Sequence, residues 1–151
     1  MLYQKIAAQL EQSAFFRDLI PIAAGTQIYH LSQSARALVA AHLWAKSGKN
    51  LILVSQDDII AEDLWDDLVS LVGRENAFYL PDYEILPYED RSPHYSIRAT
   101  RMITLLNALG DAPAIYSLSV RSLLRLIPDK ESLARHVLNL KQGDSINPMN
   151  C

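Results

Sequence analysis

Residues 51–54 (LILV) form a short, continuous apolar run, and a helical pattern follows from about Asp58 to Val72. An apolar run of this length, bounded by polar residues, is typical of a strand that is buried on both faces of a parallel sheet. Residues 56–58 (QDD) supply a cap and negative charge at the helix start, and Gly73 ends the helix. The stretch therefore predicts a strand–helix unit of an α/β fold.

The same alternation of strand and helix extends along most of the chain. Further strands are predicted at residues 26–31 (TQIYHL), 77–80 (AFYL) and 114–118 (AIYSL), each followed by a helical pattern. Residues 92–93 (SP) suit the cap and the first position of the helix after the third strand. One or two short helices are predicted within residues 2–20. Four alternations favour a mostly parallel sheet flanked by helices.

The composition limits the classes of protein to consider. The 151 residues fit one domain, half of them are hydrophobic, and the formal net charge of −3 argues against broad non-specific binding of nucleic acid. Because Cys151 is the only cysteine, an internal disulfide is excluded and a reducing cytoplasm is expected. No signal-peptide pattern and no apolar run of about 20 residues suggests export or a membrane span.

The loop after the first predicted strand is where parallel α/β proteins hold phosphate, in the pattern G-x-x-x-x-G-K-[ST]. Here His30 stands at the first glycine position, Ala35 at the second, Arg36 at the lysine and Ala37 at the hydroxyl. The added β-carbons would crowd a phosphate, and the missing hydroxyl removes a magnesium ligand. We therefore favour a strand-to-helix turn without nucleotide chemistry. Anion binding by Arg36 and the helix start is the alternative.

Two other groups of polar residues invite a functional interpretation. The acidic residues of the helix at 58–72 are expected to form a solvated face rather than a metal site. Residues 81–95 leave the end of a strand and are interpreted either as a partner or interdomain surface or as a rigid proline-braced connection. The candidate surface residues are Tyr83, Glu84, Tyr88 and Arg91. Arg91, Arg98 and Arg101 are interpreted either as contacts for phosphate or an acidic partner or, as is commoner, as partners of nearby carboxylates. No hydrolase, metalloprotease or dehydrogenase motif occurs, so no catalytic residue is predicted.

Residues 80–89 (LPDYEILPYE), followed by residues 92–94 (SPH), resemble the N-terminal region of the bacterial transcription-repair coupling factors, the Mfd family. Residues 119–128 (SVRSLLRLIP) and residues 136–146 (HVLNLKQGDSI) are similar to later stretches of the same region. The resemblance covers about residues 3–147, and its proline–tyrosine segment is the most specific part.

The resemblance implies a UvrB-like first domain at residues 1–128, with a P-loop NTPase or helicase-like fold and a degenerate phosphate loop. Residues 129–151 are then the start of an inserted, truncated module that binds UvrA in the family. In the full-length family protein, ATP and magnesium serve motor domains, and the partners are UvrA, RNA polymerase and DNA. The chain is accordingly expected to be a cytoplasmic, non-catalytic scaffold fragment in nucleotide excision repair, without a cofactor and without most UvrA contacts.

Two alternatives and one consequence accompany this interpretation. The main alternative is a small nucleotide- or anion-binding α/β domain with an atypical phosphate loop. A weaker one is a stand-alone interaction module that uses residues 81–95. Since the first domain is expected to be incomplete, an exposed sheet edge is also predicted, through which homo-oligomers could form.

Overall fold

The structure, a computed structural model, describes residues 1–20, 22–83 and 92–135. Within these residues the chain forms seven helices and three strands. The helices are α1 (Leu2–Leu10), α2 (Ala14–Asp18), α3 (Gln33–Ser47), α4 (Asp58–Val72), α5 (Tyr95–Ala108), α6 (Val120–Leu123) and α7 (Lys130–Arg135). The strands are β1 (Leu51–Ser55), β2 (Ala77–Leu80) and β3 (Ile115–Ser119). None of these helices combines the length and the hydropathy needed to cross a lipid bilayer.

β3 lies at the centre of a parallel sheet, with β1 on one side and β2 on the other. Leu53, Ser117 and Tyr79 are register partners across the three strands. Every residue of β3 is buried, as expected for a central strand of a parallel sheet. Helices α4 and α5 pack on the sheet. The predicted α/β class, a mostly parallel sheet flanked by helices, is therefore confirmed.

The main core lies where α1, α3 and α4 pack on one another and on one face of the sheet. Leu64 and Leu68 of α4 pack in this core with Ile115 of β3. The small side chains of α3 allow close approach to α4. These are Ala37, Ala40 and Ala41. The hydroxyl of Tyr3 lies 2.9 Å from Nδ1 of the buried His42 and so links α1 to α3.

The limits of α3 and α4 follow from local capping signals. α3 ends at Gly48, which adopts the left-handed conformation with φ 61°. α4 begins after Asp57, whose Oδ1 accepts a hydrogen bond from the amide of Ile60 at 2.9 Å. Gly73, with φ 89°, follows its last residue. Left-handed backbone at a helix end favours glycine, so these boundaries were predictable from the sequence.

Residues 26–31, predicted as the first strand, do not form one. Tyr29 is 70% exposed, and the amide and hydroxyl of Thr26 both donate to the nearby carbonyl of Ala23. The composition of this segment suits a strand, but a strand also needs a neighbour that supplies hydrogen bonds. None of the three strands pairs with residues 26–31, and the prediction was therefore wrong.

The prediction that both faces of residues 51–54 are covered was also wrong, because β1 is an edge strand. Ile52 and Val54 are 61% and 50% exposed, whereas Leu51 and Leu53 are half-buried against the core. The side chains of a strand alternate between its two faces. Helices cover the Leu51 and Leu53 face, while α5 packs mainly against β2.

α5 begins later than predicted. Its N-cap is His94, whose Nδ1 accepts a hydrogen bond from the amide of Ser96 at 3.4 Å, rather than Ser92. An imidazole nitrogen can replace a hydroxyl as the acceptor at a helix start, and this replacement moved the boundary by two residues. Residues 136–146, one of the stretches on which the family resemblance rests, lie outside the described residues. Of the predicted inserted module at residues 129–151, only α7 and its immediate surroundings are described.

Candidate functional site

Of the predicted phosphate loop, residues 30–32 precede α3, and residues 33–37 already belong to this helix. His30 has φ 59°, a left-handed conformation that glycine adopts most readily. Ser32 is the N-cap, but its side chain accepts no hydrogen bond from the helix. The amide of Arg36 donates to the Ser32 carbonyl at 3.0 Å. The chain therefore turns sharply into α3, and the first-turn amides of this helix have no side-chain acceptor at the cap.

The four diagnostic positions of the loop have different surroundings. Ala37, which stands where a P-loop has its magnesium-binding hydroxyl, is fully buried among the core residues. A side chain at this position therefore faces the interior of the protein. Ala35 is half-buried, whereas His30 and Arg36 are exposed. Arg36 therefore brings a charged group to the surface beside the start of α3.

A cleft of about 370 Å³ lies between the first turn of α3 and β1. Gln33 and Arg36 line it from α3, and Val54, Ser55 and Gln56 line it from the end of β1. The carboxyl ends of parallel strands are where open α/β sheets bind ligands. The predicted loop and this end of β1 are thus brought together around one opening.

A second group of polar residues occupies the carboxyl ends of β2 and β3. Nε and Nη2 of Arg125 donate to the two carboxylate oxygens of Asp82 at 2.6 and 3.2 Å. Asp82 is 2% exposed, and its amide donates to Oδ1 of Asp58 at 3.1 Å. Burial by itself raises the pKa of Asp82, but hydrogen bonds from Arg125 and the Tyr83 amide, together with the charges of Arg125 and Arg121, hold it below the usual value.

Arg101 is buried beside this ion pair. Its Nη1 donates to the Pro81 carbonyl and, at 3.1 Å, to Oγ of Ser122, which also donates to the Leu80 carbonyl. Its guanidinium lies 4.3 Å from the ring centroid of Tyr83, while Nε and Nη2 make no hydrogen bond to any described residue. The expected pairing of Arg101 with a carboxylate does not occur within the described residues. Contact with the aromatic face partly offsets the cost of burying this charge.

These contacts fix the start of the proline–tyrosine segment. Pro81 and Asp82 are buried, and Tyr83 is half-buried under Arg101. Of the residues predicted as a partner or interdomain surface, Tyr83 is therefore held by internal contacts. Glu84, Tyr88 and Arg91 lie outside the described residues.

The sequence did not reveal Asp82, Arg125 and Ser122 as members of one cluster. A local signal for Ser122 was nevertheless present, because Ser119 stands three residues before it at the end of a strand. Oγ of Ser119 accepts a hydrogen bond from the Ser122 amide at 3.0 Å and caps α6. The pairing of Asp82 with Arg125 spans 43 residues, and no local pattern predicts such a contact.

Three acidic residues of α4, Glu62, Asp63 and Asp66, are exposed, as predicted for a solvated face. Asp58 and Asp67 of the same helix are instead half-buried. Across residues 1–20, 22–83 and 92–135, no three histidine, cysteine, aspartate or glutamate side chains are grouped closely enough to hold a metal ion.

Comparison with known proteins gives a consistent set of relatives. The chain is 25% identical over 137 residues to the transcription-repair-coupling factor of Haemophilus influenzae, covering 89% of this chain and 12% of that protein. The corresponding protein of Escherichia coli is 26% identical over 134 residues, with 87% and 12% covered. That of Staphylococcus aureus is 22% identical over 140 residues, with 91% and 12% covered.

No protein-family model matches the chain, and neither does any solved structure. The chain spans about 12% of the length of the curated relatives it matches. These relatives confirm the resemblance predicted from the proline–tyrosine segment: the chain is similar to one part of the bacterial transcription-repair coupling factors.

Proposed function

We propose that this chain is a non-catalytic scaffold segment of a transcription-repair coupling factor that acts in nucleotide excision repair. The similarity to three such factors over about nine-tenths of the chain is the observation that carries the proposal. In this role, residues 1–128 form a UvrB-like domain with a degenerate helicase-type fold, and residues 129–151 begin an inserted module. ATP, magnesium, DNA, RNA polymerase and UvrA are engaged mainly by other parts of such a cytoplasmic protein.

The surroundings of residues 30–37 support the absence of nucleotide chemistry in this segment. Magnesium bound to a nucleotide needs a hydroxyl directed into the phosphate loop. Ala37 has no hydroxyl and packs in the core, so even a serine at this position would face α4 rather than a ligand. Arg36 supplies charge but not the glycine-rich backbone that cradles phosphates.

Isothermal titration calorimetry of the whole chain with ATP and magnesium tests this proposal. We expect no binding heat at micromolar protein, and the same result for the Arg36→Ala variant. Micromolar binding by the unsubstituted chain that disappears in Arg36→Ala would contradict the non-catalytic assignment. It would favour a small nucleotide-binding domain instead.

A second candidate, an anion-binding domain, is favoured by one observation. The first turn of α3 has no side-chain cap, and Arg36 stands next to it on the cleft. Free amides at a helix start and a nearby arginine attract phosphate or sulfate. Titration with inorganic phosphate, followed by the amide NMR shifts of residues 33–36, distinguishes the two candidates. Saturable shifts at millimolar phosphate that vanish in Arg36→Ala would support anion binding, and unchanged shifts would remove it.

A further inference from the structure

The outer edge of β1 has backbone groups that no other described segment uses. The amide of Leu51 donates to Ala114 at the start of the β3 ladder, so Leu51, Leu53 and Ser55 direct their backbone groups towards β3. Alternation then directs the amides and carbonyls of Ile52 and Val54 away from the sheet. Among the described residues, no hydrogen bond joins these outward groups to another segment.

The side chains of β1 do not protect this edge. Ile52 and Val54 are apolar and at least half-exposed, and β1 contains no charged residue and no proline. Natural edge strands usually carry charged residues or proline, because an open, apolar edge pairs with other strands. The edge of β1 is therefore suited to receive a strand whose apolar side chains cover Ile52 and Val54.

The position of α3 beside the cleft favours a lone strand over a second copy of the sheet. The first turn of α3 lines the cleft together with Val54, Ser55 and Gln56. α3 also packs beside α4 on the covered face of the sheet. Two-fold pairing of β1 with β1 of another copy would bring two α3 helices onto the same face of adjoining strands. An extended peptide brings no such helix.

Charge indicates the direction and the end group of the bound strand. The uncapped first turn of α3 and the exposed Arg36 lie at the carboxyl end of β1. A helix start carries partial positive charge, and Arg36 adds a full one. A strand parallel to β1 places its own carboxyl end there. Complementarity therefore favours a carboxylate at the end of the bound strand.

We propose that the cleft between β1 and the start of α3 binds one extended peptide strand, parallel to β1. Apolar side chains at alternate positions of this peptide pack on Ile52 and Val54. A carboxylate at its carboxyl end, either terminal or from an acidic side chain, faces Arg36. The peptide adds a fourth strand to the sheet by the main-chain pairing used in β-augmentation.

A fluorescein-labelled six-residue peptide, in which threonine alternates with valine and the carboxyl terminus is free, tests the proposal by fluorescence anisotropy. The valines are designed to lie on the face of Ile52 and Val54. When the valines of the parallel peptide lie on this face, the amides and carbonyls that hydrogen-bond to β1 belong to the threonines. N-methylation of the threonine amides is expected to abolish binding, whereas N-methylation of the valine amides is expected to preserve it. Equal binding of both methylated peptides would overturn strand addition.

Two variants of the protein test the side-chain contacts. Ile52→Lys alters an exposed position and is expected to weaken binding at least about tenfold, because the peptide would cover a charge. The unsubstituted protein is expected to prefer the carboxylate peptide over its C-terminal amide about two- to fivefold. In the Arg36→Ala variant, the preference for the carboxylate peptide is expected to decrease, because only the partial positive charge at the start of α3 remains to attract the carboxylate. An unchanged preference would overturn the assigned direction.

Amide hydrogen exchange identifies the occupant of the edge. Without peptide, the amides of Ile52 and Val54 are expected to exchange much faster than those of Leu51 and Leu53. Saturating peptide is expected to slow the exchange at Ile52 and Val54. Slow exchange of the Ile52 and Val54 amides without peptide would overturn the proposal. Protection that grows with protein concentration would show that a second copy covers the edge, and protection that does not would show that another segment of the same chain covers it. Unchanged exchange with peptide would overturn it as well.

Discussion

The two outer edges of the sheet differ in how their backbone groups are satisfied. On β2, the carbonyl of Ala77 accepts a hydrogen bond from Nε1 of Trp65 at 3.0 Å, and that of Tyr79 accepts one from Oγ1 of Thr104 at 2.6 Å. On β1, the outward groups of Ile52 and Val54 have no such donors among the described residues. Side chains of α4 and α5 thus occupy outward carbonyls of the β2 edge, while no described residue does so at the β1 edge.

This difference extends to the carboxyl ends of the same strands. β2 leads into Pro81 and Asp82, which are buried and held by Arg101 and Arg125. β1 leads into an open cleft beside Arg36. Residues near β2 therefore serve mainly the stability of the fold, and residues near β1 are available for binding. Substitutions on the two sides should have correspondingly different effects.

The largest effect is expected at Asp82. Asp82→Ala removes a buried carboxylate and leaves Arg125 without this partner, which should lower the free energy of unfolding by about 2–4 kcal/mol. Asp66→Ala, which removes an exposed carboxylate of α4, should change it by less than about 0.5 kcal/mol. Urea denaturation followed by circular dichroism measures both values. Equal losses in the two variants would mean that the Asp82 contacts do not stabilise the fold.

The same ion pair predicts a decrease in stability in acid. The folded-state pKa of Asp82 is lowered, so the unfolded chain binds the proton more readily. Its contribution is fully present above the unfolded pKa of about 4 and is lost as the pH falls through the lower folded value. Urea denaturation at a series of pH values from neutral to acidic should show this loss. Asp82→Asn should flatten the pH dependence, and a profile with unchanged slope would contradict the assignment.

A smaller loss is expected from opening the β2 edge. Thr104→Val keeps the shape of the side chain but removes the donor to the buried Tyr79 carbonyl, at a cost of about 1–3 kcal/mol. The reverse exchange on the other edge, Val54→Thr, should change stability by no more than about 0.5 kcal/mol because Val54 is half-exposed. Thermal denaturation of the two variants side by side measures the contrast. If Val54→Thr were the more harmful, β1 would not be the open edge.

The smallest effect on stability is expected for Ile52→Lys. Since Ile52 is 61% exposed, the unfolding free energy should change by less than about 0.5 kcal/mol. The lysine should nevertheless weaken binding of the valine–threonine peptide, because the bound peptide would cover a charge. Fluorescence anisotropy measures the binding, with Glu62→Lys on the exposed face of α4 as the matched control. Equal weakening by both lysines would show a general charge effect rather than a contact at the edge.

Local signals in the sequence predicted several elements closely. The LILV run and the helix between Asp57 and Gly73 were identified because caps and apolar spacing act within a few residues. Residues 26–31 failed as a strand because their composition was suitable but no partner strand lies beside them. At the candidate site, the predicted loop does lie at the start of α3, yet its cleft with β1 depends on residues about 20 positions further along.

Local patterns in the sequence were enough to specify the alternation of strands and helices from residue 51 onward, the helix ends at Gly48 and Gly73, and the replacement of the P-loop residues at positions 30–37. The fold itself was needed to show that β3 is central, that Ala37 enters the core and that no other described segment pairs with the outer edge of β1. Capping and amphipathic patterns depend on neighbouring residues. Strand order, edge exposure and the Asp82–Arg125 pair depend on contacts between residues far apart in the chain, which composition and periodicity do not specify.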